Sequence, residues 1–117
     1  MKVLEVLENS VRFHEVVNRR DSVLMVLFHR HRDPNSAKTR LAYEKIAETC
    51  CVAMKFAMME FDDWSRVVEE FRVTALPTIL IFVHGVETGR ILGSRTEAEL
   101  RADLGRGGPR LGITLDF

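Results

Sequence analysis

The segment Ala75-Leu76-Pro77-Thr78-Ile79-Leu80-Ile81-Phe82 constrains the fold more than any other stretch of the chain. Proline has no backbone N–H to give to a β-ladder, so within a sheet it is confined to a strand's first residue or to an edge. Here it stands directly before Thr78 to Val83. That run is too apolar for a strand with one wet face, so it reads as a central strand covered on both sides. Pro77 sets the direction in which the chain enters that strand, and the bond before it is of the kind that can adopt the cis form. The remaining segments must then supply the cover.

Lys2 to Leu7 reads as a short strand. Asn9-Ser10 is a helix N-cap pair, and Val11, Phe13, Val16 and Val17 give near-helical apolar spacing as far as Asn18. Val23 to Phe28 is six apolar residues in a row, a second buried strand. After the polar junction His29 to Ser36, Asp33 caps a helix with Pro34 in its first turn. That helix runs to about Thr49 and turns Ala42, Tyr43, Ile46, Ala47 and Cys50 inward. Val52 to Phe61 is a third strand. Asp62-Asp63 caps a short helix with Trp64, Val67, Val68 and Phe71 at i, i+3, i+4 and i+7. His84-Gly85 turns the chain into Val86 to Leu92, an antiparallel edge strand. Thr96 and Glu99 form a capping box for a last helix, which uses Leu100 and Leu104 and is stopped by Gly105-Arg106-Gly107-Gly108-Pro109.

The order βαβαβαββα defines an α/β domain. Strands joined through helices are expected to be parallel with right-handed crossovers, and the final hairpin antiparallel. With 117 residues, 46% of them hydrophobic, the chain supports one core. The domain is placed at 1–104 and a tail at 105–117, with Leu111, Ile113 and Phe117 as the residues that could order it. Lys plus Arg and Asp plus Glu both number 17, so no global field steers the chain toward nucleic acid or an anionic membrane. No apolar run approaches the roughly 20 residues of a membrane-spanning helix. Met1-Lys2-Val3-Leu4-Glu5 is too charged for a signal peptide. Cys50 and Cys51 are neighbours and cannot form an ordinary cross-link. Reduced thiols in the cytoplasm, or alternatively the nucleus, fit this usage.

Over residues 2 to 104 the chain resembles the thioredoxin family. Val23 to Phe28 is similar to the strand that leads to that family's active site, and Tyr43-Glu44-Lys45-Ile46-Ala47 to the end of its long helix. Phe71-Arg72-Val73-Thr74-Ala75-Leu76-Pro77-Thr78 with Phe82-Val83-His84-Gly85 is similar to its cis-proline segment, strand and hairpin turn. The resemblance implies a thioredoxin fold: a mixed central sheet of three parallel strands plus a C-terminal antiparallel hairpin, with helices on both faces.

The departures bear on activity. A register anchored on Ile46-Ala47 puts Asp33-Pro34-Asn35-Ser36 where active members carry Cys-Gly-Pro-Cys. Disulfide exchange needs a thiolate and a second thiol, and a carboxylate and a hydroxyl supply neither. The same reasoning puts Leu27 and Met58 at the positions of the family's buried Asp and Lys. The resemblance therefore implies a redox-inactive member without catalytic residues, cofactor or metal. Its surface for a protein partner is a peptide-docking groove formed by Leu76, Pro77 and Arg32 beside Asp33 to Ser36.

Other residues carry two readings each. Cys50-Cys51 is either a residual redox pair or packing between helix and strand, and packing is preferred because free cysteine is usually buried. His29 and His31 share one side of an extended segment, but no third ligand is close in sequence, so no metal is expected. His29, Arg30, His31 and Arg32, with Lys38 and Arg40, form either a solvated loop or a basic rim for acidic protein or RNA phosphate. Arg32-Asp33-Pro34-Asn35-Ser36-Ala37-Lys38 is also similar to the Asp-Pro-x-Cys-x-Lys run of the spliceosomal U-five thioredoxin-like protein. Phe28-His29-Arg30 to Lys38 and Lys55-Phe56 loosely resemble the phosducin-like proteins. The expected role is a non-catalytic interaction module or complex subunit. An RNA–protein particle component and an atypical oxidoreductase using Cys50 or Cys51 are the alternatives. No membrane partner is expected.

Overall fold

The computed structural model describes residues 4–19, 23–30, 32–49, 54–60 and 65–107. In chain order the elements are β1 (Leu4–Val6), α1 (Ser10–Val17), β2 (Val23–His29), α2 (Pro34–Thr49), β3 (Met54–Glu60), α3 (Ser65–Glu70), β4 (Thr78–Val83), β5 (Val86–Leu92) and α4 (Glu97–Gly107). They build one five-stranded sheet in the order β1-β3-β2-β4-β5. β1, β3 and β2 are parallel, while β4 runs antiparallel to both β2 and β5. The expected fold, three parallel strands with a C-terminal antiparallel hairpin, is the one observed.

Three details differ from the sequence expectation. The middle strand is β2, with all seven residues buried, and β4 lies one position toward the edge. β4 is not parallel to β3 although α3 joins them. Six residues of helix rise only about 9 Å, well short of the roughly 23 Å length of a seven-residue strand. The chain therefore returns through residues 71–77 to the end of the sheet that it left. The third difference is α4, which runs through Gly105 to Gly107; a helical glycine weakens a helix by about 1 kcal/mol without breaking it.

Each face of the sheet buries its own core. On one, α2 and α4 lay Ala42, Tyr43, Ile46 and Leu100 over Val23, Met25, Leu27, Phe56, Ile79 and Ile81. On the other, α1 and α3 lay Phe13, Val16, Val17 and Val67 over Leu24, Val26, Phe28, Leu80 and Phe82. Strand side chains alternate faces, so a continuous apolar strand is what two covered faces require. Phe13 anchors the second core, with its ring centroid 5.4 Å from that of Phe71, 6.0 Å from Phe82 and 6.2 Å from Phe28. Tyr43 anchors the first. Its buried hydroxyl lies 2.8 Å from the carbonyls of both Met25 and Ala57, which joins α2 to β2 and β3.

The helix starts follow the capping signals. The Asn9 side chain accepts the Arg12 N–H at 2.8 Å. Thr96 and Glu99 close a reciprocal box: Glu99 N–H donates to Thr96 Oγ1 at 3.1 Å, and Thr96 N–H to Glu99 Oε1 at 2.9 Å. Between β4 and β5, His84 (φ 52°) and Gly85 (φ 83°) are both left-handed, which matches a tight hairpin turn to the twist of its strands. β5 carries one extra residue. Ile81 pairs with Gly89 and Phe82 with Glu87, so Thr88 has no partner opposite and bulges.

Candidate functional site

β2 and β3 finish, and β4 begins, at the same end of the sheet: His29 pairs with Glu60, and Phe28 with Thr78. The loops that leave this end therefore converge. Asp33 stands directly before α2 and organises its first turn. Its carbonyl accepts Ala37 N–H at 2.9 Å, its Oδ1 accepts Asn35 N–H at 3.2 Å, and its Oδ2 accepts the Ser36 hydroxyl at 3.1 Å. Ser36 Oγ in turn accepts Arg30 N–H at 3.2 Å, and Asp33 N–H donates to Arg30 O at 3.0 Å. Both ends of the loop from Arg30 to Asp33 are thus tied to the helix start. Ser36 is buried and Asp33 half-buried.

The Leu76–Pro77 peptide is cis. Pro77 is buried, Leu76 is half-buried, and Thr74 and Ala75 are exposed. Thr78 Oγ1 donates to Ala75 O at 2.7 Å, and Gly93 N–H to Pro77 O at 2.9 Å. Gly93 takes the left-handed φ of 88° that the turn from β5 toward α4 requires. Two residues on, Arg95 N–H donates to Thr39 Oγ1 on α2 at 2.9 Å. This chain of bonds links the proline loop, the β5–α4 connection and α2. Arg90 of β5 fixes the other side of the proline loop: its Nη2 donates to Phe71 O at 2.9 Å and to Glu87 Oε1 at 3.0 Å. Nothing in the local sequence announces the Arg90–Phe71 or Arg95–Thr39 bond, because the partners are 19 and 56 residues apart.

Most of the residues singled out from sequence lie at this end of the sheet. Arg30, Arg32, Pro34, Asn35 and Lys38 are exposed on the loop and the first turn of α2. His29 does not belong to the rim. β2 extends one residue past Phe28, taking His29 into the ladder opposite Glu60 at 6% exposure. Arg40 is half-buried, with Nε 3.7 Å from Glu44 Oε1. His31, Cys50, Cys51 and Trp64, the Leu104 side chain and the tail from 108 lie outside the described residues. Leu27 and Met58 are register partners on adjacent strands, Leu27 fully buried and Met58 partly so. Among the described residues, no group of three His, Cys, Asp or Glu is placed to hold a metal ion.

A mixed five-stranded sheet between paired helices, with a cis-proline loop beside the start of the long helix, defines a thioredoxin-fold domain. The profile of the family described as Thioredoxin matches residues 3–106, and the chain belongs to that family. It is 39% identical to the thioredoxin of Echinococcus granulosus over 46 residues, which make up 39% of this chain and 42% of that protein, so the match spans under half of the relative. Among solved structures, the thioredoxin of Malassezia sympodialis superposes with a TM-score of 0.79 at 20% identity over 91% of each chain. The thioredoxin of Plasmodium falciparum gives a TM-score of 0.79 at 19% identity, covering 87% of this chain and 97% of its own. At that level of identity the likeness establishes the fold. No helix among the described residues is long and apolar enough to cross a membrane.

Proposed function

We propose that this chain is a thioredoxin-family protein that does not exchange disulfides at the customary position and serves instead as a protein-interaction module. One observation carries the reading. Asp33 and Ser36, which fall in register with the family's paired cysteines, are hydrogen-bonded to each other and to the backbone as a helix cap. Exchange begins with a thiolate attacking a disulfide sulfur and ends when a second thiol releases the mixed disulfide. A capped carboxylate and a buried hydroxyl have no route into either step. What the site retains is mechanical: a half-buried Leu76 before a cis proline, whose flanking backbone suits an extended peptide laid alongside in β fashion.

Family membership favours a second reading, an oxidoreductase that uses Cys50 or Cys51. These residues follow Thr49 in sequence, and the sixteen residues of α2 put Thr49 roughly 24 Å from the Asp33 end of the helix. Insulin reduction driven by a dithiol donor separates the two. The interaction reading expects a rate equal to the donor alone, and partner capture unchanged by Cys50→Ser/Cys51→Ser. Protein-dependent turnover that disappears in the double serine variant would establish the oxidoreductase instead. Component of an RNA–protein particle is a narrower form of the interaction reading, and partner binding unchanged in an Arg30→Glu/Arg32→Glu variant would count against it.

A further inference from the structure

α3 ends in a tight hydrogen-bonded turn. Val73 N–H donates to Val68 O at 2.9 Å and Arg72 N–H to Glu69 O at 3.2 Å, the crossed pair of bonds of a Schellman motif. That motif needs a left-handed residue just past the helix, and glycine is its usual occupant. Here the residue is Arg72, with φ 53°. A residue with a Cβ is disfavoured in that region, so support from outside the turn matters. Residues 73–76 lead from this turn to Pro77, and its position therefore sets where the proline loop stands.

The support comes from β5, and the bulge at Thr88 makes it available. Along a regular strand, residues three apart point to opposite faces. Glu87 and Arg90 nevertheless share one, because Thr88 is an extra residue between them. Glu87 stands opposite Phe82 and Arg90 opposite Leu80, both in the core beneath α1 and α3. On that face the carboxylate takes the guanidinium in a two-pronged pair, Nε to Oε2 at 2.8 Å and Nη2 to Oε1 at 3.0 Å. The guanidinium so held still reaches the turn, with Nη2 2.9 Å from Phe71 O and Nη1 3.4 Å from Arg72 O.

We infer that Thr88, Glu87 and Arg90 form a strut that keeps Arg72 in its left-handed conformation and so fixes the root of the cis-proline loop. The bulge turns Arg90 to the correct face, Glu87 orients its planar fork, and the fork holds the backbone at 71 and 72. Arg90 is a positioning residue for the loop. The inference goes beyond the interaction reading and stands whether or not the groove takes a partner.

Native-state amide exchange on the full chain tests it, with Val73 N–H as the reporter and the amides of β2 as the reference for the whole fold. Arg90→Met, which keeps the stem and removes the donors, is expected to lower Val73 protection at least about tenfold relative to β2. Arg72→Gly, which alters an exposed side chain, should raise that protection roughly fivefold. In the Arg72→Gly background, Arg90→Met should then cost less than about threefold, because the turn no longer needs the strut. Arg90→Lys keeps the charge beside Glu87 without the fork and should resemble Arg90→Met. Glu87→Gln is the milder second variant, expected to give an intermediate loss should Arg90→Met fail to fold. Val73 protection that falls only in step with β2 in these variants would overturn the strut. Equal losses in both backgrounds would overturn its link to Arg72, and wild-type protection in Arg90→Lys would overturn the role of the fork.

Discussion

Glu99 shows how much a single side chain can carry. Its carboxyl is held below the ordinary carboxylate range, first by the Thr96 backbone N–H and then by the Thr96 side chain. A depressed folded value means that the contribution to stability is complete above the unfolded value, near 4.3, and is lost as pH falls through the lower folded value. Protection factors of the first-turn amides of α4 are therefore expected to fall selectively below pH ~4, and Glu99→Gln should abolish that acid limb. Thr96→Ala removes the reciprocal acceptor and should lower stability by about 1 kcal/mol in denaturant unfolding. Single residues of this sort were legible in the sequence because their partners lie within three or four positions. Asn9, Asp33 and Thr96 all cap as their local text implies. His29 was misplaced on the rim for the opposite reason. Its place in the strand is set by pairing with Glu60, which stands across the ladder and 31 positions away in the chain.

Adjacent strands pair two apolar side chains inside the first core. Leu27 and Met58 sit side by side on β2 and β3, with Ile79 on the far side of Leu27. A lone carboxylate at the fully buried Leu27 would stand uncompensated in an apolar layer, whereas a matched pair recovers part of that penalty. Leu27→Asp is expected to destabilise the fold by at least about 3 kcal/mol, with Met58→Lys restoring a measurable fraction in the double variant. Additive effects in the double-mutant cycle would show that the two positions do not communicate. The elements themselves were read well because buried strands declare themselves by composition: β4 and β5 have the expected limits, and β2 gains only His29. The direction of β4 was harder to read. It depends on whether six residues of α3 can traverse the sheet, which is a question of length and not of pattern.

At the scale of the whole molecule, the proposed interaction role implies a thioredoxin fold whose site geometry would still accept thiols at Asp33 and Ser36. Introducing the sulfurs tests it directly. Asp33→Cys/Ser36→Cys places one thiol directly before α2 and the other in its first turn, at the cis-proline end of the sheet, and insulin reduction by a dithiol donor is expected to rise above that of the unaltered chain. An unchanged rate would mean that the loop linking Arg30, Asp33 and Ser36 no longer holds the approach an incoming disulfide needs. The sequence carried the fold and the neighbourhood of this site, but not the bonds through Thr39, Gly93 and Arg90 that hold its walls together, since those join distant segments.

The unmatched Thr88 has a bearing on self-association. An outer strand whose pitch is broken by one surplus residue offers incoming strands a ladder with a missing rung. Concentrated solutions should therefore resist fibre growth along that border, and excising Thr88 should make the protein markedly more prone to stacking through it.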